Sequence, residues 1–251
     1  KTGSMDPLVE GWIRVDGANV KFLNAGAVQN QLAVSFWQRL DETKNSSAFW
    51  IIGDGQDRAF QAHVPWGDRT IYFDTGGGCC DGSQRISRNI SELAGADPDT
   101  FFTQWHHYVF QKNGDNKQVW IDGALFHEGV NNSPLTASMT SMWIGSQTGN
   151  GNPSHGDIDD FSVFASALTP AEISRLSKGE APDAVRAITV AAAKFTKFAK
   201  NANGTITIEW TGGGTLQASP SVTGPWADVT GATSPYTFPP TAAALFGRIM
   251  N

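Results

Sequence analysis

The chain is poor in cysteine, in charged residues and in long apolar runs. Its 251 residues include 2 Cys, and 17% of them are charged. Because a chain of this length buries about 70–75% of its unfolded surface, it needs no disulfide lattice to fold. No apolar run approaches the roughly 18–20 residues of a membrane span. We therefore expect a globular chain without a membrane-spanning segment.

Basic charge is also scarce. The net charge is −6 and the isoelectric point is about 5.3, which argues against a nucleic-acid-binding protein, since such a protein would carry a basic stripe or patch. The charge is uneven: residues 186–251 carry five basic and two acidic groups, whereas residues 1–185 carry 13 and 22. The resulting net charges of +3 and −9 suggest two domains.

Catalytic signatures are missing. The sequence has no G-x-S-x-G elbow, H-E-x-x-H motif, P-loop or dinucleotide fingerprint. Glycoside hydrolysis normally needs two facing carboxylates, and the nearest approach is the Asp157-Ile158-Asp159-Asp160 run. Asp157 and Asp159 share a strand face, so an unusual or degenerate hydrolase is the minor alternative. A calcium role for Asp157, Asp159 and Asp160 suits hard oxygen ligands better, and we predict that the chain is not an enzyme.

Glycine and aromatic residues are plentiful, with 27 Gly, 15 Phe and 9 Trp. Short stretches of period-two alternation, separated by Gly, Asp and Asn, run from about residue 11 to residue 164 and predict the strands of an all-β sandwich or jelly roll. Asp122-Gly123 predicts a hairpin with a type I′ turn. Thr169-Pro170-Ala171-Glu172 predicts the capping box of one short helix, and Gly179 its C-terminal end.

The chain is expected to divide into four parts. Residues 1–7 (KTGSMDP) are interpreted as a cloning remnant, and the chain as a part of a longer polypeptide. Residues 8–181 form the large β domain, residues 182–187 a linker, and residues 188–251 a small β-sandwich module. In that module, 194–200 and 205–210 predict a hairpin.

Adjacent Cys79 and Cys80 form an unusual pair. Trans neighbours have Cα atoms about 3.8 Å apart, less than the 4.4 Å or more of an ordinary disulfide, so a vicinal disulfide would be a strained eight-membered ring. Strain of this kind occurs at ligand sites. We favour the vicinal disulfide in a tight surface loop, and the alternative is two reduced, buried thiols.

Several tryptophans are candidate ligand platforms. Trp66 lies in a turn sequence, which favours presentation of its ring at a rim, with His63, Asp68 and Arg85 close in sequence as polar partners. Trp120 and Trp143 alternate with apolar residues and become platforms if their side of the sheet is open; plain packing is the alternative for each. Three other tryptophans are expected in the core: Trp37, Trp105 and Trp210.

Four stretches together resemble a bacterial laminin G-like domain of the concanavalin A-like lectin/glucanase superfamily. They are LAVSFWQRLDE (32–42), QWHHYVFQKNGDNKQVWIDGALF (104–126), MWIGSQ (142–147) and GDIDDFSVFASALTPAEISRL (156–176). The tail from residue 207 resembles a small β-sandwich module of extracellular proteins. The resemblance implies a jelly roll of two antiparallel sheets, a secreted or cell-surface location, and sometimes Ca²⁺ at a rim.

These observations lead to three hypotheses. The first is a non-catalytic carbohydrate-binding module of a larger extracellular bacterial protein, which binds a polysaccharide or glycan. Its site comprises eight residues: His63, Trp66, Asp68, Cys79, Cys80, Arg85, Trp120 and Trp143. The second is a structural or adhesive spacer, in which Trp66 and Arg85 pack against other domains of the parent polypeptide. The third is the hydrolase that uses Asp157 or Asp159.

Overall fold

The computed structural model describes most of the chain, in six segments: 11–79, 84–148, 151–186, 193–212, 214–241 and 244–250. The predicted cloning remnant, residues 1–7, lies outside them. The chain divides into two compact units with a boundary between residues 187 and 188. Each unit is described by itself below.

The described part of the first unit contains two antiparallel sheets, as predicted. One has the strand order β1-β10-β3-β4-β5-β6 and the other the order β11-β2-β7-β8-β9. The strands are β1 (Ile13–Asp16), β2 (Gln31–Leu40), β3 (Ser47–Gly53), β4 (Gln56–His63), β5 (Thr70–Thr75), β6 (Arg85–Asn89), β7 (His106–Asn113), β8 (Asn116–Ile121), β9 (Ala124–Val130), β10 (Met139–Ile144) and β11 (Gly156–Phe164).

Phenylalanine side chains from both sheets meet in the core of this unit. Phe110 of β7 lies 5.6 Å from Phe49 of β3 and 5.4 Å from Phe73 of β5, measured between ring centroids, with near-perpendicular rings. Phe36 of β2 stacks on Phe110 at 6.0 Å. Because successive side chains along a strand point to opposite faces of the sheet, each sheet directs one apolar face inward. The predicted all-β sandwich of two antiparallel sheets is thereby confirmed.

The predicted hairpin and helix both form. Asp122 and Gly123 have φ angles of 49° and 82°, the left-handed conformations that a type I′ turn requires. Helix α2 (Pro170–Leu176) has the full capping box, in which Thr169 and Glu172 each accept a hydrogen bond from the backbone N–H of the other. Its buried face packs on the five-stranded sheet through Ile173 and Leu176.

The described part of this unit also contains two shorter α-helices, α1 (Leu23–Ala27) and α3 (Pro182–Val185), and three short 3-10 helices, Gly17–Val20, Ile90–Glu92 and Phe101–Thr103. Val185 is buried in the same cluster as helix α2, and Arg186 donates to the Glu172 carboxylate at 2.7 to 2.9 Å. Residues 182–186, which the sequence analysis treats as a linker, therefore pack as part of the first unit. None of the helices in the described ranges combines the length and the apolar character needed to cross a membrane.

The second unit is also built from antiparallel strands. They are β12 (Lys194–Lys200), β13 (Ile206–Thr211), β14 (Thr215–Ser219), β15 (Ala227–Asp228), β16 (Tyr236–Phe238) and β17 (Phe246–Met250). The order is β12-β13-β16 in one sheet and β15-β14-β17 in the other. Ile208, Trp210 and Leu216 are buried between them, and the predicted hairpin of β12 and β13 is present. The resemblance of this unit to a known module stays a prediction.

Candidate functional site

A row of paired residues crosses the six-stranded sheet on the face that points away from the core, here called the outer face. In strand order, Cα pairing joins Arg14, Trp143, Trp50, Gln61, Asp74 and Arg85. Their chain neighbours Phe49, Ile51, Phe60 and Phe73 all belong to the core. Because successive strand residues alternate between faces, the row must lie on the outer face.

Asp74 is the centre of a hydrogen-bonded cluster on this face. Its carboxylate is fully buried and accepts a forked pair of bonds from Arg85, with Nε at 2.6 Å and Nη2 at 2.7 Å. Arg58 Nη1 donates to the same carboxylate at 3.1 Å, and Gln61 Nε2 also donates to it. A buried carboxylate requires such partners, since an unpaired charge in the interior is costly. Hydrogen bonding to Asp74 raises the pKa of Arg85 and keeps its guanidinium charged.

Arginine and aromatic side chains are stacked along the outer face. The Arg58 guanidinium carbon lies 4.6 Å from the ring centroid of Trp50, and that of Arg85 lies 4.5 Å from the Tyr72 centroid. Both distances lie within the range of a cation–π interaction, and this attraction holds each guanidinium group against its ring. The clustered arginines therefore have restricted positions.

The turn after β4 places Trp66 beside His63. The backbone N–H of Trp66 donates to Thr70 O at 2.8 Å, and the Trp66 and His63 ring centroids are 4.7 Å apart. His63 Nδ1 and Ser47 Oγ form a hydrogen bond of 3.0 Å. Burial lowers the pKa of His63 to about 4, so the imidazole is neutral at physiological pH. Trp66 is half-buried.

A cavity of about 340 Å³ opens between these groups. The described residues that line it are Arg58, His63, Trp66, Tyr72, Arg85, Gln147 and Asn152. The structure thus brings together three of the residues singled out from the sequence, namely His63, Trp66 and Arg85. Asp68 supports the cavity from outside, because its carboxylate accepts hydrogen bonds from Tyr72 OH at 2.8 Å and from the Thr70 N–H at 3.0 Å.

Four lining residues were missed by sequence reasoning. Tyr72 could have been found, because it alternates with the core residues Ile71 and Phe73 in a predicted strand. Arg58 could not, because it lies within an irregular register of β4, between Gln56 and Phe60. Gln147 and Asn152 come from the connection between β10 and β11, whose path depends on tertiary packing.

Trp120 and Trp143 are not open platforms, which corrects the expectation for both. Trp120 is buried under helix α2 against Ile173 and Leu176, and its Nε1 donates to Gln118 Oε1 at 3.3 Å. Trp143 does lie on the outer face, but it is 5% exposed and has the Arg14 guanidinium 5.1 Å from its ring centroid. In both cases a neighbouring element covers the tryptophan side chain, which the alternating strand pattern alone could not predict.

Another tryptophan departs from its predicted environment. Trp105 was expected in the core but is 42% exposed, and Arg39 lies 5.7 Å from its ring centroid. It directly precedes β7, where the strand pattern no longer determines burial.

The three aspartates proposed for calcium are not gathered into a cation site. Asp157 is ion-paired with Arg39, and the Asp159 carboxylate accepts from the Asp160 N–H at 2.8 Å. Asp160 has a φ of 48° at an irregular register in β11. Among the described residues, no group of three or more His, Cys, Asp or Glu side chains could hold a metal ion. Calcium binding by the chain stays an untested prediction.

The glycine-rich loop before the cysteines is attached to the strand that carries Arg58. Gly76 and Gly77 have φ angles of 77° and 95°, and their N–H groups donate to Ala59 O at 3.2 Å and Arg58 O at 3.1 Å. Cys79 is half-buried. Cys80 lies outside the described residues, so the Cys79–Cys80 disulfide and a ligand role for the pair stay predictions.

The family assignment follows from the sequence profile. The laminin G-like profile, described as the concanavalin A-like lectin/glucanases superfamily, matches residues 15–174. The chain belongs to this family. The laminin G-like region extends from β1 into helix α2 and contains every cavity residue described above. No curated protein sequence matches the chain.

Several solved structures are similar to this chain at low identity. The receptor-binding domain of botulinum neurotoxin mosaic serotype C/D matches with 14% identity and a TM-score of 0.48, over 67% of this chain and 40% of that one. A SAP-like pentraxin from Limulus polyphemus matches with 18% identity and a TM-score of 0.46, over 59% and 70%. A Bacteroides ovatus protein proposed to bind carbohydrate matches with 10% identity and a TM-score of 0.43, over 59% and 40%. Similarities of this size say nothing of what this chain binds.

Proposed function

We propose that this laminin G-like chain is a non-catalytic carbohydrate-binding module of a larger extracellular protein, and that it binds a polysaccharide or glycan in the cavity beside Trp66. The observation that carries the proposal is the cavity itself, which combines a half-buried indole with clustered polar side chains. Sugars present apolar C–H faces to aromatic rings and hydroxyl groups to hydrogen-bonding side chains. Secretion and the bacterial source rest on the resemblance alone.

The chemistry of the lining supports recognition rather than hydrolysis. Gln147 and Asn152 offer both donors and acceptors, and neutral His63 offers one ring nitrogen beyond its contact with Ser47. In the described residues, the cavity lining contains no carboxylate. The candidate hydrolytic residues, Asp157 and Asp159, belong to β11 of the other sheet. A facing pair of carboxylates is therefore not part of this cavity.

Trp66→Ala is the direct test. We expect the purified chain to be retarded by at least one polysaccharide in affinity gel electrophoresis, and the variant to lose at least about tenfold in affinity through loss of the stacking surface. Trp226→Ala is the matched control, because Trp226 is also half-buried but belongs to the second unit. Lack of retention across a broad panel of polysaccharides would refute the proposal and favour the structural spacer.

A further inference from the structure

The Asp74 cluster contains more positive than negative charge. Arg58 and Arg85 both donate to Oδ2 of Asp74, at 3.1 Å and 2.7 Å, so the two guanidinium groups are next to each other. One carboxylate is therefore ion-paired with two guanidinium cations. Gln61, the third donor to Asp74, is neutral. The cluster carries a net charge of +1 on the face where the cavity opens.

This excess charge reaches the cavity rather than being buried. The side chains of Arg58 and Arg85 are 26% and 19% exposed and both line the cavity, whereas Asp74 is 0% exposed and does not. The Asp68 carboxylate, beside the lining residue Tyr72, accepts hydrogen bonds from Tyr72 OH and the Thr70 N–H. A ligand in the cavity thus meets two cations and, among the described lining residues, no carboxylate.

Both arginines retain donors after binding Asp74. A guanidinium has five N–H donors. Among the described residues, Arg58 donates only to Asp74, through Nη1, which leaves Nε and Nη2. Arg85 likewise donates only to Asp74, through Nε and Nη2, which leaves Nη1. The stacking of these guanidinium groups on Trp50 and Tyr72 restricts their positions before any ligand arrives. Fixed guanidinium forks are the groups that recognise carboxylate and sulfate oxygens most effectively.

The net charge of the chain cannot attract an anionic ligand to the cavity. The chain has a net charge of −6, and residues 1–185, which contain the cavity, have 22 acidic and 13 basic residues. A polyanion is therefore repelled by most of this unit and attracted at the arginine pair. Specific contacts must provide the affinity.

From this geometry we infer that the cavity selects an anionic carbohydrate, one that carries a carboxylate or sulfate group, through Arg58 and Arg85. The inference rests on the proposed function and specifies its ligand class. The indole of Trp66 would stack on the sugar ring while the arginine pair receives the acidic substituent. Neutral glycans offer no partner for the excess charge and should bind more weakly.

Paired polysaccharides that differ only in charge provide the test. Polygalacturonate and its fully methyl-esterified form probe the carboxylate, and dextran sulfate and dextran probe the sulfate. We expect the whole chain, in 0.15 M salt, to bind the charged member of at least one pair about tenfold or more tightly than the neutral member. Equal binding of both members in every pair would overturn the inference, while Trp66-dependent binding of either member would leave the proposed function intact. Binding of no member of any pair, and of nothing in the wider panel, would refute the proposed function itself.

Variants of Arg58 test whether the preference for the charged polysaccharide arises in the cavity. Arg58→Gln should weaken binding of the charged polysaccharide about tenfold or more and binding of the neutral one by a smaller factor, so that the preference for the charged member falls. Arg248→Gln is the matched control, because Arg248 lies 4.6 Å from the Trp226 ring centroid, the same distance as Arg58 from Trp50, but in the second unit. Arg58→Lys keeps the charge beside Asp74 and should preserve the fold, as checked by thermal melting, with a smaller loss of affinity. Unchanged selectivity in folded Arg58→Gln, or in Arg58→Lys if the first variant unfolds, would overturn the inference.

Discussion

Two buried lysines, Lys112 and Lys117, are cross-strand partners on β7 and β8 and point into the sandwich. Lys117 Nζ donates to Phe73 O and to Gln84 O, both at 2.7 Å, and Lys112 Nζ donates to Asn131 O at 2.5 Å. Carbonyl oxygens satisfy the N–H groups but do not neutralise the charge. Burial therefore lowers the pKa of Lys112 to about 8 and that of Lys117 to about 7.

The sign of the resulting pH dependence follows from linkage. Between pH 7 and 10 the unfolded chain keeps Lys117 protonated, with an ordinary pKa of 10.5, while the folded chain releases the proton. The unfolded state then binds more protons, so the free energy of unfolding rises with pH by at most about 1.4 kcal/mol per pH unit for this residue. Lys117→Met should reduce that slope in urea unfolding at pH 7, 8, 9 and 10. Exposed Lys178→Met is the control, and an unchanged slope in Lys117→Met would contradict the assignment.

At the scale of the element, β4 shows how an irregular strand changes what a face presents. Ile51 pairs with Phe60 and Gly53 with Gln56, so β4 advances four residues while β3 advances two. Ala59 and Phe60 both belong to the core, whereas Arg58 reaches Asp74 on the outer face. A bulge of this kind re-aims side chains, and strict alternation read from the sequence cannot foresee it.

Helix α2 is an element whose ends the sequence determines. Thr169→Ala removes the side-chain oxygen that accepts from the Glu172 N–H at 3.3 Å. We expect the free energy of unfolding of the first unit to fall by about 1 kcal/mol in denaturant titration. Thr169→Ser keeps the hydroxyl and should retain most of the stability. Equal stability of the alanine and serine variants would show that the cap contributes nothing.

For the whole molecule, acid stability depends on a buried histidine in each sheet of the first unit. His63 lies on β4, and His107 lies on β7, where its Nε2 and Ser35 Oγ are 2.9 Å apart. Burial lowers the pKa of each imidazole from 6.5 to about 4. Between these values the unfolded chain binds more protons, so the stability present above pH 6.5 is lost as the pH falls toward 4.

Removing the histidines should flatten this acid dependence. His63→Gln and His107→Gln are each expected to decrease the slope of unfolding free energy between pH 6.5 and 4 by at most about 1.4 kcal/mol per pH unit, and the double variant by the sum. Urea unfolding monitored by tryptophan fluorescence measures the slope. A slope that stays at the wild-type value in the double variant would place the acid sensitivity in other groups.

Local patterns in the sequence determined the strands, the Asp122-Gly123 hairpin and the capped helix, because alternation, positive φ and capping depend on residues close in the chain. The turn that presents Trp66 beside His63 likewise depends on residues close in the chain. Tertiary structure decided which outer faces remain open: helix α2 covers Trp120, and Arg14 covers Trp143. It also decided that Arg58 joins Arg85 on one buried carboxylate, since that contact joins separate strands across an irregular register. Burial and charge pairing depend on neighbours distant in sequence, so the charge of the cavity could be read only from the folded chain.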